Sequence, residues 1–155
     1  MCKWSSSITY GLHRKRHRKR PMPNRLQTIL LIEDDLLLQE PVITALSDAG
    51  YAVVVASDGK EGLETGLREH PDLILLDILM PEMDGLEVMR AIRRDEAWGT
   101  GVPIILMTNL GPDEERIMQA ITECEPAYYL IKSDWKLSEV VSKVQECLRE
   151  GVITR

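Results

Sequence analysis

The chain has 155 residues, 44% of them hydrophobic and 28% charged, which is the composition of one soluble globular domain. Its longest uninterrupted apolar run, Tyr51 to Ala56, falls far short of the ~18 residues a membrane-spanning helix needs, so a transmembrane protein is excluded. Three widely spaced cysteines (Cys2, Cys124 and Cys147) form no C-x-x-C pair, which argues against a disulfide scaffold or a zinc site and for a reducing, cytoplasmic setting.

The net charge of -6 is unevenly spread. Residues 1–25 hold eight Lys or Arg and no acid, whereas 26–155 hold eleven bases against twenty-five acids. So acidic a body repels phosphates, so nucleic acid is not an expected partner except through the basic arm. The arm, with His13 to Arg20 ahead of Pro21-Met22-Pro23, has dense like charge and no apolar periodicity, and is expected to stay disordered outside the fold. It lacks the apolar segment of a secretory signal. It loosely resembles an organelle transit peptide, or a basic tail for nucleic acid or anionic lipid. The simpler reading is an upstream extension, with translation starting at Met22.

From Leu26 the pattern alternates short apolar runs with helical periodicity, the signature of βαβ units, and residues 26–150 are expected to form the domain. Strands are predicted at Thr28–Ile32, Ala52–Ala56, Leu73–Leu76, Pro103–Met107 and Tyr128–Ile131, each reading as buried on both faces, as parallel strands are. The first helix spans roughly Leu37 to Ala49. Pro41 suits a first turn and displaces its start toward Gln39, while Gly50 suits a left-handed cap after its end. The second helix, Gly59 to Glu69, is weakened by Gly62 and Gly66, each costing about 1 kcal/mol relative to alanine. The third spans Gly85 to Arg94. The fourth runs from Pro112 or Asp113 to Thr122 and opens on acids that suit the positive end of a helix dipole. In the fifth, Leu137, Val140, Val141, Val144 and Leu148 fall on one stripe.

A doubly wound α/β sheet of this kind binds ligands outside the carboxyl ends of its strands. Those ends carry Glu33-Asp34-Asp35, Asp77, Thr108-Asn109 and Lys132. Acids gathered at neighbouring strand ends repel one another unless a divalent cation or a lysine neutralises them. Carboxylate oxygens with no sulfur or imidazole nearby suit Mg²⁺ or Mn²⁺ rather than zinc. Asp35 and Asp84 read as helix N-caps. Each remaining residue taken alone has an ordinary explanation as a cap, a turn hydroxyl or a solvated charge; at four strand ends together they do not. Cys124 and Cys147 read as packing or surface thiols, Trp98 and Trp135 as loop packing, and His70 as a turn residue. No phosphate-binding Gly loop, dinucleotide fingerprint or nucleophile elbow is present.

The segments Ile29 to Asp35, Pro71 to Gly85, Pro103 to Thr108 and Tyr129 to Lys132 together resemble the receiver domain of two-component response regulators, of the stand-alone chemotaxis-regulator type, over about Leu26 to Glu150. The resemblance implies a flavodoxin-like sheet of strand order 2-1-3-4-5. It implies that Asp77 accepts a phosphoryl group from a histidine kinase or histidine phosphotransfer protein, and that Glu33, Asp34, Asp77 and the backbone carbonyl of Leu79 hold Mg²⁺. Thr108 and Lys132 would contact the phosphoryl oxygens, with Thr108 and Tyr129 as the switch pair. Output would pass through the face of helix four, strand five and helix five to a partner protein or a second copy in a phosphorylation-dependent homodimer.

Three departures from the family pattern stand out: Ser133 in place of the proline after Lys132, Asn109 in place of a small residue, and apolar Leu79 and Leu110 flanking the site. Neither leucine can orient an attacking water, so autodephosphorylation is expected to be slow. The same leucine argues against a metal-dependent aspartate-nucleophile phosphatase, which wants an acid two residues beyond its nucleophile. A degenerate receiver serving only as an interaction module is disfavoured because the key positions are filled. The protein therefore reads as a self-phosphorylating signalling protein, not an enzyme with an external substrate. Only four residues follow Gly151, which is expected to leave no room for an output domain there.

Overall fold

Alternate residues of each strand point to opposite faces of a sheet, and here both sets are apolar, so each face requires a covering layer. The computed structural model, which describes residues 25–109 and 114–153, supplies both. Its strands are β1 (Thr28–Ile32), β2 (Ala52–Ala56), β3 (Leu73–Asp77), β4 (Ile104–Thr108) and β5 (Tyr128–Ile131). They alternate with α1 (Leu36–Asp48), α2 (Gly59–Glu69), α3 (Gly85–Arg93), α4 (Glu114–Cys124) and α5 (Leu137–Ile153). All pairings are parallel, in the order β2-β1-β3-β4-β5. This is the expected flavodoxin-like arrangement.

Leu30, Ile32, Ile74, Leu76, Ile104 and Leu106 face one core, shared with α2, α3 and α4. Their sequence neighbours Ile29, Leu31, Leu73, Leu75, Ile105 and Met107 face the other, which α1 and α5 cover through Val42, Leu46, Val140, Val144 and Leu148. Cys124 and Cys147 are buried packing thiols, one in each core. Trp98 and Trp135 pack against these cores from loops. His70 caps α2 in the left-handed conformation, φ 48°, and stacks on Trp98.

The sequence reading needs four corrections. The start of α1 is not displaced by Pro41: the helix begins at Leu36, because Asp35 caps it, accepting from the Leu37 N–H at 2.9 Å, and Pro41 lies inside. Edge strand β2 is only half-buried along most of its length, since it has a neighbour on one side alone. β3 and β4 each reach one residue further than expected, to Asp77 and Thr108, and β4 starts at Ile104. α3 ends at Arg93, α4 runs to Cys124, and α5 continues to Ile153. Gly50 behaves as expected at φ 92°, with the Gly50 and Tyr51 N–H groups closing on the carbonyls of Ser47 and Leu46 as in a Schellman cap. The arm before Arg25, Leu110 and the Pro112-Asp113 opening of the fourth helix lie outside the described residues. No helix among the described residues is long and apolar enough to cross a membrane.

Candidate functional site

Strand register determines which strand-end residues meet. Ile32 pairs with Leu76, so the next residues along, Glu33 and Asp77, stand side by side at the carboxyl edge. Glu33, Asp77 and Lys132 each fall two residues beyond a side chain in the α1/α5 core (Leu31, Leu75 and Leu130), so strand alternation sends all three the same way. They meet: the Lys132 Nζ lies 2.7 Å from Glu33 Oε2 and 3.1 Å from Asp77 Oδ2.

Both carboxylates are nearly inaccessible, and their remaining oxygens are held by main-chain donors. Glu33 Oε1 accepts from the Asp35 N–H at 3.1 Å and Asp77 Oδ1 from the Leu79 N–H at 3.2 Å. Burial pushes both carboxyls above their ordinary range, against the pull of the Lys132 ammonium. Burial also disfavours the charge on Lys132, but its hydrogen bond to Glu33 and the charge of Asp77 prevail and raise its pKa. Asp34, beside them, is exposed.

Oxygens of Glu33, Asp34 and Asp77 lie within 4.8 Å of one another. Opposite ligands of a hexacoordinate Mg²⁺ with bonds of ~2.1 Å are about 4.2 Å apart, so the three can share one such ion after small adjustments. Three carboxylates and one ammonium also leave two negative charges, the complement of a divalent cation. The residues fit Mg²⁺ in donor type, spacing and charge.

Thr108 is fully buried at the end of β4, its hydroxyl donating to the Asn109 carbonyl at 2.9 Å. Along the same face, Tyr129 stands opposite Leu106 and packs on the α2–α4 core. Thr108 thus follows Tyr129 by one step of the face, while Leu79 is 52% exposed beside Asp77. Asp84 caps α3 in a capping box with Glu87 and also pairs with Arg116 of α4. Gly85 is needed to close this corner, because a Cβ there would stand 2.0 Å from the Asp77 carbonyl oxygen.

One participant escaped the sequence reading. Gln39 is a buried uncharged amide on α1, donating from Nε2 to the Glu33 carbonyl at 2.6 Å and to Ser57 Oγ at 3.5 Å. Its signal was a polar residue on the stripe Gln39, Val42, Leu46, where helical spacing wants an apolar one.

A family model for the response regulator receiver domain matches residues 29–145. The response regulator MprA of Mycobacterium leprae is 36% identical over 121 residues, 78% of this chain and 50% of that protein. The probable transcriptional regulator ycf27 of Guillardia theta is 42% identical over 91 residues, 59% of this chain and 34% of that protein. The chain thus spans half or less of the length of these curated relatives. Among solved structures, chemotaxis protein CheY4 of Vibrio cholerae superposes with a TM-score of 0.71 at 27% identity, covering 80% of this chain and all of that one. The signal receiver domain of a signal transduction histidine kinase from Syntrophus aciditrophicus gives 0.72 at 30% identity, with 83% and 94% covered. With sheet order, strand-end chemistry and matched span in agreement, the chain belongs to the response regulator receiver domain family of two-component signalling.

Proposed function

We propose that Asp77 is the phosphoacceptor of a cytoplasmic signalling protein, taking a phosphoryl group from a phosphohistidine on a histidine kinase or histidine phosphotransfer protein. The observation that carries this reading is the approach of Lys132 Nζ to within 3.1 Å of Asp77 Oδ2, inside a ring of acids able to hold a cation. A carboxylate oxygen of Asp77 attacks phosphorus; the O–P bond forms as the P–N bond breaks, and the electron pair returns to the imidazole of the donor. Lys132, kept protonated by its two carboxylates, turns to an incoming phosphoryl oxygen. The hydroxyl of Thr108 leaves the Asn109 carbonyl for another. Glu33, Asp34, Asp77 and the Leu79 carbonyl would hold a Mg²⁺ or Mn²⁺, which would supply the remaining neutralisation of charge.

Movement of Thr108 opens room on the face it shares with Tyr129, and rotation of Tyr129 then reshapes the surface of α4, β5 and α5. That surface serves an output partner or a phosphorylation-dependent homodimer. Residues 26–150 are the receiver unit in this reading, with the basic arm outside it. The phosphatase alternative finds no support at Leu79, whose side chain offers no general acid.

Incubation with acetyl phosphate and Mg²⁺ tests the assignment. A hydroxylamine-sensitive acyl phosphate is expected in the wild-type chain and none in Asp77→Asn; absence from the wild type overturns the proposal. Once the donor is removed, the acyl phosphate is expected to persist for minutes or longer. Decay within seconds contradicts the role given to Leu79.

A further inference from the structure

Five polar or charged residues are buried among the described ones: Glu33, Gln39, Thr65, Asp77 and Thr108. Glu33, Asp77 and Thr108 have direct roles in the function proposed above, and Thr65 lies within α2. Gln39 is only 7% exposed, and its carboxamide spends its best hydrogen bond on the main chain of a proposed cation ligand.

Burying an amide is unfavourable unless its groups are paired, and apolar residues fill the adjoining stripe positions of α1. The pairing found is specific. The α1 ladder begins at the Asp35 carbonyl, which accepts from Leu38 and Gln39. The Glu33 carbonyl lies before that ladder, and the Gln39 Nε2 reaches back six residues to take it at 2.6 Å. The Glu33 N–H donates to the Ala56 carbonyl at 3.1 Å, so the Glu33 main chain is fixed at both ends of its residue, by β2 on one side and α1 on the other. The same amide touches Ser57 Oγ, linking the turn after β1 to the turn after β2.

The Glu33 carbonyl belongs to the peptide group that leads into Asp34. Rotation of that peptide swings the Asp34 carboxylate relative to those of Glu33 and Asp77, and the three must stay within one ion's reach. We propose that Gln39 is a positioning residue for the divalent cation: by gripping the Glu33 carbonyl, it holds the Glu33–Asp34 peptide in the orientation that aims both carboxylates at the ion. This rests on the cation site of the proposed function. Outer groups that orient metal ligands typically change affinity by about 10- to 100-fold when removed.

The test compares the full chain with its Gln39→Met variant, which keeps the side-chain length and loses the donor. Mg²⁺ dissociation constants come from calorimetric titration, alongside melting temperatures without metal and acetyl phosphate labelling as a function of Mg²⁺. The expected result is a dissociation constant raised about 10-fold, with labelling at saturating Mg²⁺ within twofold of wild type. Gln39→Asn, which retains the amide but is one methylene too short, should behave alike, and replaces Gln39→Met if the latter does not fold. Wild-type Mg²⁺ affinity in the variants, even with a lowered melting temperature, reduces Gln39 to a packing role and overturns the inference while sparing the cation site. Failure of the wild type itself to bind Mg²⁺ instead overturns the site and the inference together.

Discussion

Asp77 is held where burial disfavours its charge and where it shares Lys132, its one ion-pair partner among the described residues, with Glu33. Such an arrangement is poor for stability, because two buried carboxylates each lose hydration while dividing the attraction of one ammonium. Replacing Asp77 by asparagine preserves its shape and leaves Lys132 with Glu33 as an undivided partner. The expectation follows that Asp77→Asn, which removes the proposed phosphoacceptor carboxylate, stabilises the metal-free protein by about 1 kcal/mol. Urea unfolding in the presence of EDTA measures this, and a lower midpoint than wild type would contradict it. Glu33, Asp77 and Lys132 were legible in the sequence because a charged residue closing an apolar strand conflicts with the core pattern and so announces another purpose. Gln39 was not, since its partner is a main-chain carbonyl brought near only by the β1–α1 turn, and a carbonyl leaves no trace in the side-chain sequence.

Strands and helix stripes were readable at the element scale because two core faces impose strict periodicity, whereas boundaries depend on local bonds. Pro41 is instructive. Its missing N–H deprives the Leu37 carbonyl of a helical partner, yet Leu37 is 83% exposed and water can replace the bond, so the Asp35 cap sets the start of α1. The interior glycines of α2 look alike in sequence and differ in space. A Cβ on Gly62 would stand 2.5 Å from Ile32 Cδ1 and 2.9 Å or closer to two further atoms of that stiff, fully buried side chain. A Cβ on Gly66 would meet Leu30 and Trp98 at 3.5 Å, an ordinary contact. Gly66→Ala should therefore gain helix propensity of about 0.5–1 kcal/mol, while Gly62→Ala forfeits that gain to overpacking of about 1–3 kcal/mol. Opposite shifts of the thermal midpoint are expected from the two substitutions; two shifts of the same sign would show that the approach of α2 to β1 does not decide the matter.

At the scale of the whole molecule, the parallel sheet separates its charges. Arg25, the last residue of the basic segment, donates from Nη2 to both carboxylate oxygens of Asp72 at 2.8 Å, at the amino-terminal edge where β1 and β3 begin. Glu33, Asp34 and Asp77 gather at the opposite, carboxyl-terminal edge, so that basic anchor cannot relieve them. Lys132 offsets one of the three charges, and the proposed cation would offset the rest; because the three carboxylates come together only in the folded sheet, such a cation is expected to stabilise the fold by mass action. For a ligand present at 100 times its dissociation constant that gain is about 2.7 kcal/mol. The urea midpoint is accordingly expected to rise saturably with MgCl₂, beyond any rise in NaCl of equal ionic strength, since screening is set by ionic strength and not by which cation supplies it. Asp34→Ala discriminates well: the residue is exposed, so its loss leaves the core intact while removing a proposed ligand. In that variant the Mg²⁺-specific rise should largely vanish. A rise of equal size in the variant would mean that magnesium acts elsewhere on this acidic surface, and the strand-end ring would lose its claim to the ion.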